Sequence, residues 1–153
     1  MDQQIFKDGL SRWGSGVAVI TTTGLDEEPV GFTATSFTSL SLEPPLVLFC
    51  LSKTASGITS FQGSQKFGVN ILSSGQEMLS NRFASRDEKK FEGVELLGHG
   101  NELPLIKGCL ANLICEKRGE IPGGDHLIFI GEVLEINLEE GEPLLYFKGK
   151  YRT

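Results

Sequence analysis

The chain has 153 residues, 39% hydrophobic and 22% charged, a length that suits one domain (1–153) able to bury a core without disulfide or metal. Its formal net charge of −6 excludes a protein that as a whole attracts nucleic acid or a membrane surface, while leaving room for a local basic pocket that holds one phosphate. Three cysteines, Cys50, Cys109 and Cys115, without CxxC spacing exclude a disulfide framework and a zinc site.

In chain order, Phe6, Leu10 and Trp13 stand at i, i+4 and i+7 after Asp2. That spacing predicts a short amphipathic helix capped by Asp2 and ended by Gly14 and Gly16. The N-terminus lacks the charged-then-apolar order of a signal peptide, and no apolar run nears the roughly 20 residues that span a bilayer. A cytoplasmic protein is expected. VAVITTT is β-branched and reads as a strand, LDEEP as a turn. After VGFTATSFTSLSL and the Pro44–Pro45 pair, LVLFCL is fully apolar, as a strand buried on both faces would be.

TASGITSFQG carries Ile58 and Phe61 at helical spacing, and KFGVNIL reads as a strand. Ser74 and Glu77 have capping-box spacing ahead of a helix that carries Met78, Leu79 and Phe83, with Met78 and Leu79 expected in the core. RDEKKFEGVELLGHGNELPLIKG is charged and Gly-punctuated and reads mostly as loop, with His99 exposed. CLANLICEKRGEI alternates apolar residues, HLIFIGEVLEINL is a long strand, and PLLYFKGKYR closes the chain. The cysteines lie in apolar runs and are read as buried thiols of a reducing compartment. Six or seven strands with three short helices and no strand–helix–strand alternation predict a mainly β protein, an antiparallel barrel or sandwich.

Several chemistries are missing from the pattern. Gly14 and Gly16 begin a GxG, but Val19 fills the third glycine position and a strand follows, so no dinucleotide fingerprint forms. GxxxxGK[ST], HExxH and GxSxG do not occur, and two histidines far apart build no His-rich metal site. Three segments do carry signal. Residues 31–45 are dense in hydroxyls: Thr35, Ser36 and their backbone groups either face a flat heterocycle or belong to an exposed edge strand. Ser52-Lys53-Thr54-Ala55-Ser56-Gly57 places hydroxyls and a lysine between a strand and a helix, which suits a phosphate or plain N-capping by Thr54 or Ser56. Gly123-Gly124-Asp125-His126 puts a titratable ring at a strand start, where backbone approaches a ligand closely or where a histidine is structural.

Together GxxVAVITT, GFTATSFTSLSLEPPLVLFCL, the 52–56 turn, FGVNIL, NRFASRDEKKFEGV, GDHLIFIGEV and GKYR resemble the short-chain flavin reductases, the reductase components of two-component flavin monooxygenases. The resemblance runs over nearly the whole chain. It implies an FMN-binding split β-barrel with a few short helices, usually a homodimer, that reduces FMN or FAD with NADH or NADPH, with reduced flavin passing to a partner oxygenase. By the same resemblance Thr33, Ala34, Thr35 and Ser36 line the isoalloxazine ring. Leu51, Ser52, Lys53, Thr54 and Ser56 hold the ribityl phosphate, Phe83 and Ala84 border the flavin, and Lys89 or Lys90 reaches a phosphate. His126 lies where nicotinamide approaches, and Tyr151 with Arg152 closes the site. Hydride transfer needs alignment more than an acid or base, which agrees with a site poor in His, Asp and Glu. Two other readings share the pattern: an electron-transfer flavoprotein that retains FMN, and a non-enzymatic module binding flavin or haem. FMN against FAD, NADH against NADPH, the oxygenase, and whether flavin is retained or released are left open at this level.

Overall fold

A computed structural model describes residues 1–98 and 103–152; His99, expected in an exposed loop, lies outside the described residues. Among the described residues ten strands form two antiparallel sheets. Seven of them are β2 (Ala18–Thr23), β3 (Pro29–Ala34), β4 (Thr38–Ser41), β5 (Leu46–Ser52), β6 (Lys66–Ile71), β7 (Ala111–Gly123) and β8 (His126–Leu138). They lie in the order β3-β2-β6-β7-β8-β5-β4. β1 (Ser15–Gly16), β9 (Leu145–Phe147) and β10 (Lys150–Arg152) make a small second sheet. Three short helices complete the fold: α1 (Gln3–Leu10), α2 (Ile58–Gly63) and α3 (Glu77–Ala84), the last preceded by a 3-10 turn.

The large sheet is rolled. β3 stands at one end of its order and β5 next to the other, yet Phe32 and Phe49 bring their rings to 5.7 Å. Phe49 is the hub of this interior. It stacks on Phe129 at 5.0 Å and meets Phe67 and Phe61 edge-on at 4.9 and 5.7 Å. Full burial of one such ring is worth roughly 1.5–3 kcal/mol, so Phe49→Ala is expected to cost about 3–5 kcal/mol. The rolled sheet keeps an open seam, because its terminal strands β3 and β4 are joined through the chain and not by a ladder. Within the connection Ser36 continues the β4–β5 edge: its hydroxyl accepts from Cys50 N at 3.0 Å and donates to Cys50 O at 3.1 Å. The result is a mainly β, antiparallel split-barrel arrangement.

The long hairpin of β7 and β8 turns on two residues, Gly124 and Asp125, with Gly124 at φ +60°, a conformation glycine adopts without strain. Each of its strands carries one extra residue. Leu134 of β8 is passed over between the pairs Ile114↔Glu135 and Cys115↔Val133, and Arg118 of β7 between Lys117↔Gly131 and Gly119↔Ile130. These are β-bulges, which bend and twist a strand locally.

Several expectations need correction. Strands buried on both faces are β2, β6 over Phe67–Asn70 and β7 over Ala111–Cys115; in β2, Ala18 and Ile20 enter the aromatic core while Val17, Val19, Phe83 and Ile106 form a second cluster on its other side. LVLFCL in β5 alternates instead: Val47, Phe49 and Leu51 point inward, and Leu48 and Cys50 are half-exposed on the outer face. Cys50 is therefore not a buried thiol, whereas Cys109 and Cys115 are, with burial pushing them up to about 11 and about 12. Asp2 caps α1 as expected, its carboxylate accepting from Ile5 N at 2.9 Å. Yet no α1 residue is buried, and Phe6, Leu10 and Trp13 are exposed. The capping box falls one residue earlier, on Ser73 and Gln76. Met78 is 86% exposed, because α3 turns Phe83 and not Met78 toward β2 and β3. The strand count rises to ten because the hydroxyl-rich stretch and the C-terminus each split into two short strands and β1 has two residues.

Candidate functional site

β3, β5 and α3 converge on a cleft of about 860 Å³. One wall is β3 from Val30 to Thr33. The opposite wall is Leu51 and Ser52 with Thr54, Ala55, Ser56 and Gly57 of the turn that follows, and Phe83 and Ala84 at the end of α3 form a third side. Ser85, Arg86, Asp87, Glu88, Lys90 and Phe91 make the outer rim.

Local chemistry builds each wall. Ser52 ends β5, and its Oγ accepts from Thr54 N at 3.2 Å and lies 3.0 Å from Thr54 Oγ1. Ala55 N donates to Ser52 O at 3.0 Å, which folds the turn back toward β3. Gly57 is the N-cap of α2 and provides no side-chain cap, so neither Thr54 nor Ser56 serves as its N-cap. α3 approaches β3 closely because Gly31 carries no side chain: a Cβ there would sit 2.9 Å from Phe83 Cε1. Thr33 Oγ1 donates to Ser80 O at 2.6 Å across the same contact.

The rim is anchored from below. Lys90 Nζ donates to Phe83 O at 3.1 Å and Gly31 O at 3.4 Å, and Arg82 donates to Lys89 O at 2.9 Å. Phe91 meets Phe83 edge-on at 4.9 Å. Burial holds the Lys90 ammonium below the usual lysine range, with Asp87 opposing that shift. The cleft thus offers an apolar floor of Val30, Phe32, Leu51 and Phe83, a hydroxyl end at Ser52, Thr54, Ser56 and Ser60, and two cations, Arg86 and Lys90, at the rim. A flat heterocycle fits the floor, and a phosphate fits hydroxyls and cations. Among the described residues no cluster of His, Cys, Asp or Glu forms a metal site.

Of the residues singled out in sequence, Thr33, Leu51, Ser52, Thr54, Ser56, Phe83 and Ala84 come together here. His126 stands beside them: it pairs in register with Ser52, and its Nδ1 lies 2.7 Å from Asp125 Oδ1. The hydrogen bond from His126, and then its charge, hold the Asp125 carboxyl below the usual range. The remaining residues lie elsewhere. Ala34 is buried in the aromatic core and Thr35 is exposed beyond β3. Ser36 spends its hydroxyl on Cys50, and Lys53 points outward from the turn. Lys90, not Lys89, reaches the cleft. Arg152 lines a separate cavity of about 510 Å³ with Gly14, Tyr146 and Phe147, its guanidinium 5.7 Å from the Phe147 ring. Tyr151 bonds to Ser80 and Asn81 of α3.

Sequence reasoning passed over Val30, Gly31, Ser60 and Arg86. For Arg86 a signal is present: RDEKK carries three cations directly after a helix end, of which the resemblance points only to the two lysines.

A family model described as "Flavin reductase like domain" matches residues 10–153. The chain is 44% identical to the reductase component of 4-hydroxyphenylacetate 3-monooxygenase from Thermus thermophilus, over 98% of this chain and 95% of the relative. Among solved structures it is similar to the NADH:FAD oxidoreductase SgcE6 of Streptomyces globisporus, with TM-score 0.92 and 37% identity over 99% of this chain and 92% of that one. That protein has also been solved in complex with NAD and FAD fragments. A protein of Sinorhizobium meliloti matches at TM-score 0.96 and 35% identity; it covers all of this chain, which spans about half (54%) of that neighbour. A domain match across residues 10–153, joined to full-length relatives on the same rolled sheet, places this chain in the flavin reductase like family.

Proposed function

We propose that the protein is an NAD(P)H:flavin oxidoreductase that reduces FMN or FAD in the 860 Å³ cleft and supplies reduced flavin to a partner oxygenase. The observation that carries the reading is the convergence of Thr33, Leu51, Ser52, Thr54, Ser56, Phe83 and Ala84 around one cleft in a chain of this family. A bound flavin supplies the hydride-accepting ring atom. The chain's own residues bind and align: the hydroxyls of Ser52, Thr54 and Ser56 with the Lys90 and Arg86 cations hold phosphate, and Phe83 and Leu51 flank the ring. His126, braced by Asp125, stands where a nicotinamide would be steered. No acid or base is needed at the transfer, which is governed by alignment.

The outer face of β5 and β8 supports a homodimer. Leu48 pairs with Ile130 and Cys50 with Ile128 on the side away from the core, leaving an apolar surface that a second copy would cover. The chain acts as a single domain, and its three unpaired thiols suit the cytoplasm; among the described residues no helix is long and apolar enough to cross a membrane.

Steady-state oxidation of NADH and NADPH with FMN, FAD and riboflavin in turn tests the proposal. Strict flavin dependence is expected, and nucleotide consumption no faster than with free flavin alone would refute it. Flavin that stays with the protein through gel filtration at nanomolar concentration would favour the retained-cofactor electron carrier.

A further inference from the structure

The residue that the family resemblance makes part of a lid is tied to a wall of the cleft. Tyr151 occupies the middle of β10, paired with Tyr146 of β9, and the two rings meet edge-on at 5.3 Å. Its hydroxyl lies 2.7 Å from Ser80 Oγ and donates to Asn81 Oδ1 at 2.9 Å. A phenol carries one proton. With that proton committed to Asn81, the Ser80 hydroxyl must donate to Tyr151, and its rotor is fixed. Ser80 is fully buried, and its carbonyl in turn accepts the Thr33 hydroxyl at 2.6 Å.

Three elements far apart in sequence are thereby joined bond by bond: β10 to α3 through Tyr151, and α3 to β3 through Ser80. The far end of the chain of bonds, Thr33, lines the cleft, as do Phe83 and Ala84 on the next turn of α3. α3 has eight residues, too few for its own hydrogen bonds to hold it in place without tertiary contacts. We propose that Tyr151 is a positioning residue for the flavin: a strut that sets the height of α3 over β3, and with it the width of the cleft between Phe83 and Thr33. Tyr151 is absent from the cleft lining, so it acts through Ser80. The proposal rests on the flavin reductase reading above.

Tyr151→Phe keeps the ring and its contact with Tyr146 and removes only the hydroxyl. The KM for flavin is expected to rise about five- to tenfold, the scale of a lost buried hydrogen bond. The nicotinamide KM and kcat at saturating flavin should stay within about twofold. Ser80→Ala should give most of this shift, and the double variant should be no worse than Tyr151→Phe alone, because Tyr151→Phe already cuts the link to Ser80. Asn81→Ala, at an exposed position, should give a smaller shift in the same direction. Met78→Ala, on the exposed face of α3, should change none of these constants. A Tyr151→Phe enzyme with a raised nicotinamide KM and unchanged flavin KM would overturn the strut in favour of a lid, and additive single variants would overturn it as well. Amide exchange in the ligand-free protein supplies a readout without turnover. Tyr151→Phe should speed exchange at residues 80–84 about fivefold relative to β6, and unchanged protection there would overturn the strut. A wild-type protein that reduced no flavin would instead overturn only the functional reading on which the strut rests.

Discussion

The seam after β3 and the turn after β5 are both rich in hydroxyls, and the fold uses them in opposite ways. At the seam, Thr33 donates to Ser80 O and Ser36 bridges both backbone groups of Cys50. These side chains serve the chain itself: Thr33 ties β3 to a carbonyl of α3, and Ser36 satisfies backbone groups of β5 beyond the end of β4. At the turn, Ser52 and Thr54 bond to one another, and Ser56 makes no side-chain hydrogen bond among the described residues. Ser52 Oγ also accepts one local backbone bond, from Thr54 N, but a hydroxyl has further donor and acceptor capacity, and that remainder is what a ligand phosphate can use. Hydroxyl density in a sequence therefore marks where polar partners are required, and only the fold decides whether the partner is protein or ligand.

The sharpest way to break this contrast is to remove hydroxyls from each region and compare. Ser52→Ala and Ser56→Ala should each weaken FMN binding by about 1.5–3 kcal/mol, roughly ten- to a hundredfold, the value of a hydrogen bond to a charged group. Riboflavin, which lacks the phosphate, should bind almost as before in the same fluorescence titration. Equal losses for both ligands would make the turn as structural as the seam.

His126 comes next, since it adjoins the turn without entering the cleft. His126→Ala should raise the nucleotide KM and slow reduction of pre-bound flavin about ten- to a hundredfold, the scale of a misplacement near 1 Å, with flavin affinity nearly unchanged. Stopped-flow absorbance reads this directly, and a variant that loses its flavin or unfolds would make the histidine structural.

At the seam the effect should fall on stability. Ser36→Ala leaves Cys50 N and O without their partner and should cost about 1–3 kcal/mol in urea unfolding, with flavin affinity within about threefold of wild type. The smallest effect belongs to Asp125. Because His126 holds its carboxyl below the ordinary value, the stability it adds is present above the ordinary carboxylate range and lost as pH falls through the lowered value. Asp125→Asn should lower Tm slightly at neutral pH and not at all in strong acid; a loss that grew toward acid would reverse the sign assigned here.

Much of the fold was legible where local pattern and burial agree. HLIFIGEVLEINL is β8 end to end, and the two-residue Gly124-Asp125 connection follows from a glycine between two strands. What escaped was set by partners remote in sequence. LVLFCL reads as buried on both sides, but α3 and the 103–110 segment pack behind β2, β3, β6 and β7 and leave the outer face of β5 half-exposed; nothing in the hexapeptide says so. Phe6, Leu10 and Trp13 show a helical stripe, and a stripe cannot tell what covers it. In the cleft, Ser52 and Ser56 come together because both sit in one short turn, whereas Phe83 is pointed to only by the family resemblance. Lys90 was paired with Lys89 as an alternative because adjacent residues on a loop point in directions that only its anchor, here Phe83 O and Gly31 O, decides.

The extra residues Leu134 and Arg118 lie on opposite strands of the β7–β8 hairpin, and their offsets cancel. Between them the two strands run out of phase with the base of the hairpin; beyond both, the original phase returns. At the tip Gly123 therefore meets His126 in the original phase because two errors of count compensate, as in a vernier whose scales agree again after one full interval, while His126 and Ser52 are aligned by the unbroken β5–β8 register. Deleting Arg118 alone would displace the tip of β7 by one residue and turn its side chains to the opposite face, whereas deleting Arg118 and Leu134 together would restore the alignment at His126 in a shorter, straighter hairpin. The reach of the hairpin from barrel to tip is in this sense a matter of counting: the hairpin changes length in paired steps, and a single step detunes it.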